Sequence, residues 1–115
     1  MINNVILVGR VVEQPSKIVT EKNQTFATLV LAVPRPFKNL EGVIETDFIK
    51  CIVWEGLVET VCSYCTKGSV VGVKGRISPY NSEVSFNEEK KTVRNNEIVV
   101  EHISFIKMVF PETNK

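Results

Sequence analysis

The sequence predicts an all-β domain, with five strands closing a small barrel and one short helix between the third and fourth. Three observations predict it. Five segments rich in Val, Ile, Phe and Thr are separated by Gly, Pro and Asn positions. Only Leu57 to Lys67 carries apolar residues at helical spacing. The length of 115 residues, 43% hydrophobic and 23% charged, suits one modest core rather than two. Five strands with a helix between strands three and four is the element order of an OB-fold.

The elements follow in order. Asn4 to Val12 is β-rich, with Gly9 as a bend or bulge. Gln14 and Pro15 break it. Thr25 to Val33 is the second strand, and Pro34 and Pro36 are expected to end it, because proline cannot donate to a ladder. Pro34 to Thr46 then reads as a long excursion carrying Phe37, Lys38 and Gly42. Asp47 to Trp54 is the third strand. Leu57, Val58, Val61, Cys62 and Cys65 mark one helix face, with Lys67 in its last turn and Gly68 just past it. Ser69 to Ile77 and Glu97 to Ile106 are the fourth and fifth strands. Tyr80 to Asn96 between them is polar and charged, and reads as a protruding hairpin or mobile loop. One domain over residues 1–107 and a short C-terminal extension over 108–115 are expected, with no repeat and no linker.

Several function classes find no support. No apolar run approaches the roughly 20 residues that span a bilayer. The N-terminus lacks a signal-peptide pattern, so a cytoplasmic protein with no membrane partner is expected. No G-x-S-x-G, P-loop or G-x-G-x-x-G is present, so no enzyme, catalytic residue or cofactor is expected. Cys51, Cys62 and Cys65 are an odd, small set that argues against a disulfide framework. Cys62 and Cys65 form a C-x-x-C, which with Cys51 and the single histidine, His102, spells a redox pair or a zinc site. Three small hydrophobes in a core is the plainer reading, and no metal is expected. The net charge of +1 announces no nucleic-acid partner by itself, so any anion-binding surface must arise from local arrangement.

The third strand is the most informative segment. Strand side chains alternate between faces. Asp47, Ile49, Cys51 and Val53 share one face, expected to be the barrel interior. Phe48, Lys50, Ile52 and Trp54 share the other, which puts two large rings and a cation outside. The fourth strand repeats the pattern, with Val71, Val73 and Ile77 one way and Gly72, Lys74, Arg76 and Ser78 the other. Rings beside cations form a platform on which unpaired bases stack, while the cations neutralise phosphates. The loops add Arg35, Phe37 and Lys38, then Tyr80, Phe86, Lys90, Lys91 and Arg94. Each has a plainer alternative. Phe48 and Trp54 can instead sit under a loop or in a subunit interface. Phe86 can be hairpin packing, Lys90 and Lys91 a solvated turn, and Arg10 the partner of an acid on a neighbouring strand.

Over residues 1–106 the chain resembles the bacterial single-stranded DNA-binding protein family. The matching stretches are INNVILVGRV, ATLVLAVPRPF, ETDFIKCIVWEG, KGS followed by VVGVKGRI, and NEIVVEHISFI, in order and at consistent spacing. The resemblance implies an OB-fold, a homotetramer, no catalysis, and sequence-tolerant binding of single strands in replication, recombination or repair. It places the family's stacking aromatics on Phe37, Phe48 and Trp54, with Tyr80 as the fourth. The expected phosphate contacts are Arg35, Lys38, Lys50, Lys74, Arg76 and Arg94. Family members commonly continue into a flexible linker and a short acidic tip that recruits repair and replication enzymes. This sequence ends PETNK, so reduced recruitment is expected. Two other readings stay open at this point: an OB-fold adaptor that mainly contacts proteins, and an RNA-binding OB domain.

Overall fold

A computed structural model describes residues 1–109. Residues 110–115, where the expectation about the chain end falls, lie outside the described residues. The elements are β1 (Val5–Val11), β2 (Lys17–Val19), β3 (Thr25–Lys38), β4 (Ile44–Trp54), a 3-10 turn (Glu55–Leu57), α1 (Val58–Tyr64), β5 (Val70–Phe86) and β6 (Glu89–Lys107). The sheet order is β1-β5-β6-β4-β3-β2, and β1 also pairs with β3, which closes a five-stranded barrel. Among the described residues only the β4–β6 pairing is parallel. The OB-fold expected from the sequence is therefore present, with β2 a short added strand on the edge of β3.

Alternation builds the core. Ala27, Leu29 and Leu31 from β3, Cys51 and Val53 from β4, and Val71 and Val73 from β5 are all buried inside. Val11 and Val100 join them, and Val58, Val61 and Cys65 of the helical segment close one end. Ser69 is the buried polar residue, and it is satisfied: its Oγ lies 3.0 Å from Thr66 Oγ1 and accepts from Val109 N at 3.0 Å.

Five expectations need correction. First, β3 does not stop at Pro34 but runs through Pro34 and Pro36 to Lys38. Beyond Ala32, β3 has β4 on one side only, so a proline whose missing N–H faces the open edge removes no ladder bond. The expected excursion is thus a hairpin, closed by Asn39 to Val43. Asn39 Oδ1 accepts from Glu41 N at 2.9 Å and Val43 N at 3.0 Å, and Gly42 takes φ 78°. Second, β5 and β6 extend past the barrel as a long ribbon, and Tyr80 to Asn96 is regular hairpin rather than loop. Its turn is Asn87–Glu88, both left-handed (φ 49° and 66°), the twist that suits a two-residue hairpin. Third, the α-helix ends at Tyr64, so Lys67 lies outside it, and Gly68 (φ 90°) serves the turn from Thr66 to Ser69. Fourth, Gly9 makes no bulge: a Cβ there would meet Ala32 O at 2.9 Å, so its bare backbone lets β1 pass close against β3. Fifth, three side chains differ in burial from their expected faces. Ile52, on the outer face, is buried between its partners Thr28 and Val99. Asp47 and Ile77 have inner parity but lie where their strands leave the barrel, so Asp47 is half-exposed and Ile77 exposed.

The cysteines behave as core. Cys51 and Cys65 are fully buried and Cys62 packs against the same cluster, while His102 stands on β6 opposite Lys74. Burial pushes the Cys51 and Cys65 thiols up to about 11, with the nearby Cys62 adding to the rise at Cys65. That is opposite to the shift that makes a thiol a nucleophile or metal ligand. Among the described residues, no three His, Cys, Asp or Glu side chains are placed to hold a metal, and no helix is long and apolar enough to cross a membrane.

Two measurements check this fold. A Cβ on Gly75 would lie 2.1 Å from Val99 O, at the irregularity where Glu101 interrupts the β5–β6 register. Gly75→Ala is expected to destabilise by about 3 kcal/mol or more, read as a lower urea midpoint; an unchanged midpoint contradicts the close approach. In a thiol-reagent assay at pH 8, Cys51 and Cys65 should stay silent until the protein unfolds. Fast reaction of all three thiols would contradict their burial.

Candidate nucleic-acid interface

The outer face of β4 carries Phe48, Lys50, Ile52 and Trp54 in sequence, because the alternate residues are committed to the core. At about 3.3 Å per residue, Phe48 and Trp54 stand about 20 Å apart, with Lys50 nearer Phe48. Phe48 is 69% exposed and Trp54 38%. The difference has a cause: Phe26 lies opposite Trp54 on β3, and the two rings pack tilted at 44° with centroids 5.2 Å apart. Phe26 is a contributor the sequence reading missed, although alternation in β3 opposes it to the buried Ala27. Ile52 forms an apolar floor between Lys50 and Trp54.

Register extends this face. Thr28, Ile52, Val99 and Arg76 are successive cross-strand partners over β3, β4, β6 and β5, so Arg76 lies at the far side of the same surface. The even-numbered parity of β5 runs outward from Arg76 through Ser78 to Tyr80, Val84 and Phe86 on the ribbon, and Tyr80 and Phe86 are both exposed. Arg94 stands opposite Asn81 on the ribbon. Phe37, 63% exposed, and Lys38 lie near the end of the β3–β4 hairpin.

Two expected site residues sit elsewhere. Lys74 pairs with Ile6 on one side and His102 on the other, on the β1–β5–β6 face rather than beside Phe48. Arg35 is held by acids: its Nη2 donates to Asp47 Oδ1 at 3.0 Å, its Nε donates to the same carboxylate, and its Nη1 donates to Glu45. The hydrogen bond and charge of Asp47, then the charge of Glu45, raise the Arg35 pKa further and keep it cationic. Among the described residues the only other ion pair is Lys17–Glu59. Lys38, Lys50, Lys74, Arg76 and Arg94 carry charges unpaired within this set. Among the described residues, the near-neutral chain therefore leaves these five cations unpaired while pairing others.

The β1–β5–β6 face has a different character. Ile6, Val8 and Ile106 are well exposed, and Val8 and Ile106 converge over Gly72. Exposed rings mark the β4 side of the barrel; aliphatic side chains, with Lys74 beside them, mark this one.

Comparison with known proteins follows this geometry. The Single-strand binding protein family matches residues 2–106. "Single-stranded DNA-binding protein 3" of Listeria innocua is 42% identical over 106 residues, covering 92% of this chain and 64% of that protein. "Single-stranded DNA-binding protein 1" of Lactococcus lactis is 38% identical over 115 residues, covering 100% of this chain and 71% of that one. The chain thus spans about two thirds of the length of the relatives it matches. A Plasmodium falciparum SSB solved in complex with ssDNA superposes with a TM-score of 0.71 at 22% identity, over 93% of this chain and 96% of that one, a likeness of fold. The chain belongs to the single-strand binding protein family.

Proposed function

We propose that this chain binds single-stranded DNA without sequence preference and protects it during replication, recombination or repair. The observation that carries the reading is the outer face of β4, where Phe48, Lys50 and Trp54 stand exposed with the cation unpaired among the described residues. Bases stack on Phe48 and Trp54; stacking requires a free π-face, so duplex DNA is excluded and any base is accepted. Lys50 and Arg76 neutralise phosphates along this face. Phe37 and Lys38 on one hairpin, and Tyr80 and Arg94 on the ribbon, extend the path beyond the barrel. The action is binding without catalysis, carried by the single domain over residues 1–107, in the cytoplasm. Membership of the family and the names of the relatives support it.

We further propose a homotetramer. The face of Ile6, Val8 and Ile106 exposes more aliphatic surface than one barrel needs, and a second copy laid on it would remove that surface from water. Lys74 then serves the edge of that interface as well as any strand passing it.

Two experiments test these readings. Trp54 is the only tryptophan, so titration with oligo-dT should quench its emission, duplex DNA should not, and oligo-U reports whether RNA competes. If about five phosphates are neutralised, log K should fall with log salt at a slope near −3.5. Trp54→Ala should weaken binding by about 1–3 kcal/mol and still fold. Equal affinity for duplex, or normal binding by Trp54→Ala, contradicts stacking. Light scattering should give four chain masses for the native protein and a smaller species for Val8→Glu; a native monomer contradicts the tetramer.

A further inference from the structure

The register places one more cation on the interface than the sequence marks out. Arg10 is the cross-strand partner of Ala32, and Ala32 is the partner of Phe48, so Arg10, Ala32 and Phe48 form one row over β1, β3 and β4. Their parity is the same: Ile6, Val8 and Arg10 point outward from β1 while Val11 is buried. Neighbouring strands lie about 4.8 Å apart, so the Arg10 and Phe48 backbones are about 10 Å apart, within reach of a long guanidinium arm and a ring on either side of one nucleotide. Between this row and Val8, Pro34 and Thr46 lies an open groove of about 370 Å³, lined also by Gly9 and Val70. Its floor is small or apolar, and Arg10 is the charged residue lining it.

Arg10 and Arg35 contrast sharply. Arg35 is engaged by Asp47 and Glu45, and its parity follows Val33 and Asp47, away from Phe48. Arg10 makes no ion pair among the described residues, since its strand neighbours Ala32 and Val70 are apolar. The polar contact of its side chain among the described residues is a long hydrogen bond donated by Nη1 to Gly68 O at 3.4 Å. A guanidinium so placed gains more from a phosphate than it loses from that contact, and its planar fork suits two phosphate oxygens.

We infer that the groove between β1 and the β3–β4 hairpin is a nucleotide subsite continuous with Phe48, in which Arg10 binds the phosphate of a single strand. Arg35, in contrast, is a positioning residue that fixes the hairpin through Asp47 and Glu45. The inference rests on the single-strand reading above and deepens it. The subsite lies beside Val8, where the ring-bearing face meets the aliphatic one, so a strand leaving Phe48 through it is delivered to the seam where a second copy would sit.

The test is a salt series of anisotropy titrations with a labelled oligo-dT, using native protein, Arg10→Gln and Arg10→Lys, with thermal unfolding recorded for each. One lost phosphate contact should make the log K against log salt slope shallower by about 0.7 in Arg10→Gln. Affinity at low salt should fall about fivefold. Arg10→Lys should restore the slope but not the full affinity, because an ammonium cannot form the two-pronged contact. Arg35→Gln should lower affinity with the native slope retained, since its charge is already spent on carboxylates. A native slope in Arg10→Gln, with native protein binding oligo-dT normally, overturns the subsite and leaves the single-strand reading standing. Failure of the native protein to bind oligo-dT overturns both.

Discussion

Burial of Cys51 and Val53 along one side of β4, with Ile49 packed against them, is the constraint on which the candidate interface depends. A strand has two faces, and a core claims one of them. With that face committed, Phe48, Lys50 and Trp54 have no choice but the outside. A slip of one residue would bury a lysine and two large rings while exposing the core, so the register is pinned by the same burial that stabilises the barrel. The parallel Cys51–Ile98 and Ile52–Val99 pairs add a second restraint, because they bind β4 to the last strand and carry the outer surface across to Arg76. Stability and function are two faces of one alternation.

Charge is managed locally. A net charge of +1 gives no long-range attraction for a polyanion. Four of the acids instead do structural work: Asp47 and Glu45 on Arg35, Glu59 on Lys17, and Glu55, which accepts from Thr25 N at 2.9 Å, at the barrel end. The lysines around the outer face of β4, with Arg76, make no ion pair among the described residues. On the proposed reading such a surface attracts phosphates at short range, within the screening length of physiological salt, and holds them only when the bases are also free to stack.

The barrel and the β4 face were legible because both follow from period-two alternation over strongly apolar segments. The helix was legible from Val58, Val61 and Cys65, but its end was not, since Lys67 and Gly68 resemble a terminus and serve a turn. What the sequence hid was set by partners rather than by local pattern. Pro34 and Pro36 look like strand ends and are tolerated because one edge of β3 is open there. The polar run Tyr80 to Asn96 looks mobile, yet every residue from Tyr80 to Phe86 finds a cross-strand partner. Nothing in the local pattern marks Arg10 or Phe26 for this face; only the register reveals that one shares a row with Phe48, and only the fold that the other meets Trp54. Lys74 shares the parity of Arg76, but a barrel turns its outer face through a full circle, so equal parity does not mean a common surface.

That division of the barrel into a ring-bearing face and an aliphatic face is the central claim, and photochemical cross-linking tests it most directly. An oligo-dT carrying 5-iododeoxyuridine, irradiated in complex with the protein and mapped by peptide mass spectrometry, should attach to Phe48 and Trp54 on β4. Attachment concentrated instead on the side away from Arg10, at His102 and beside Ile6 and Ile106, would place the strand on the aliphatic face and contradict the account.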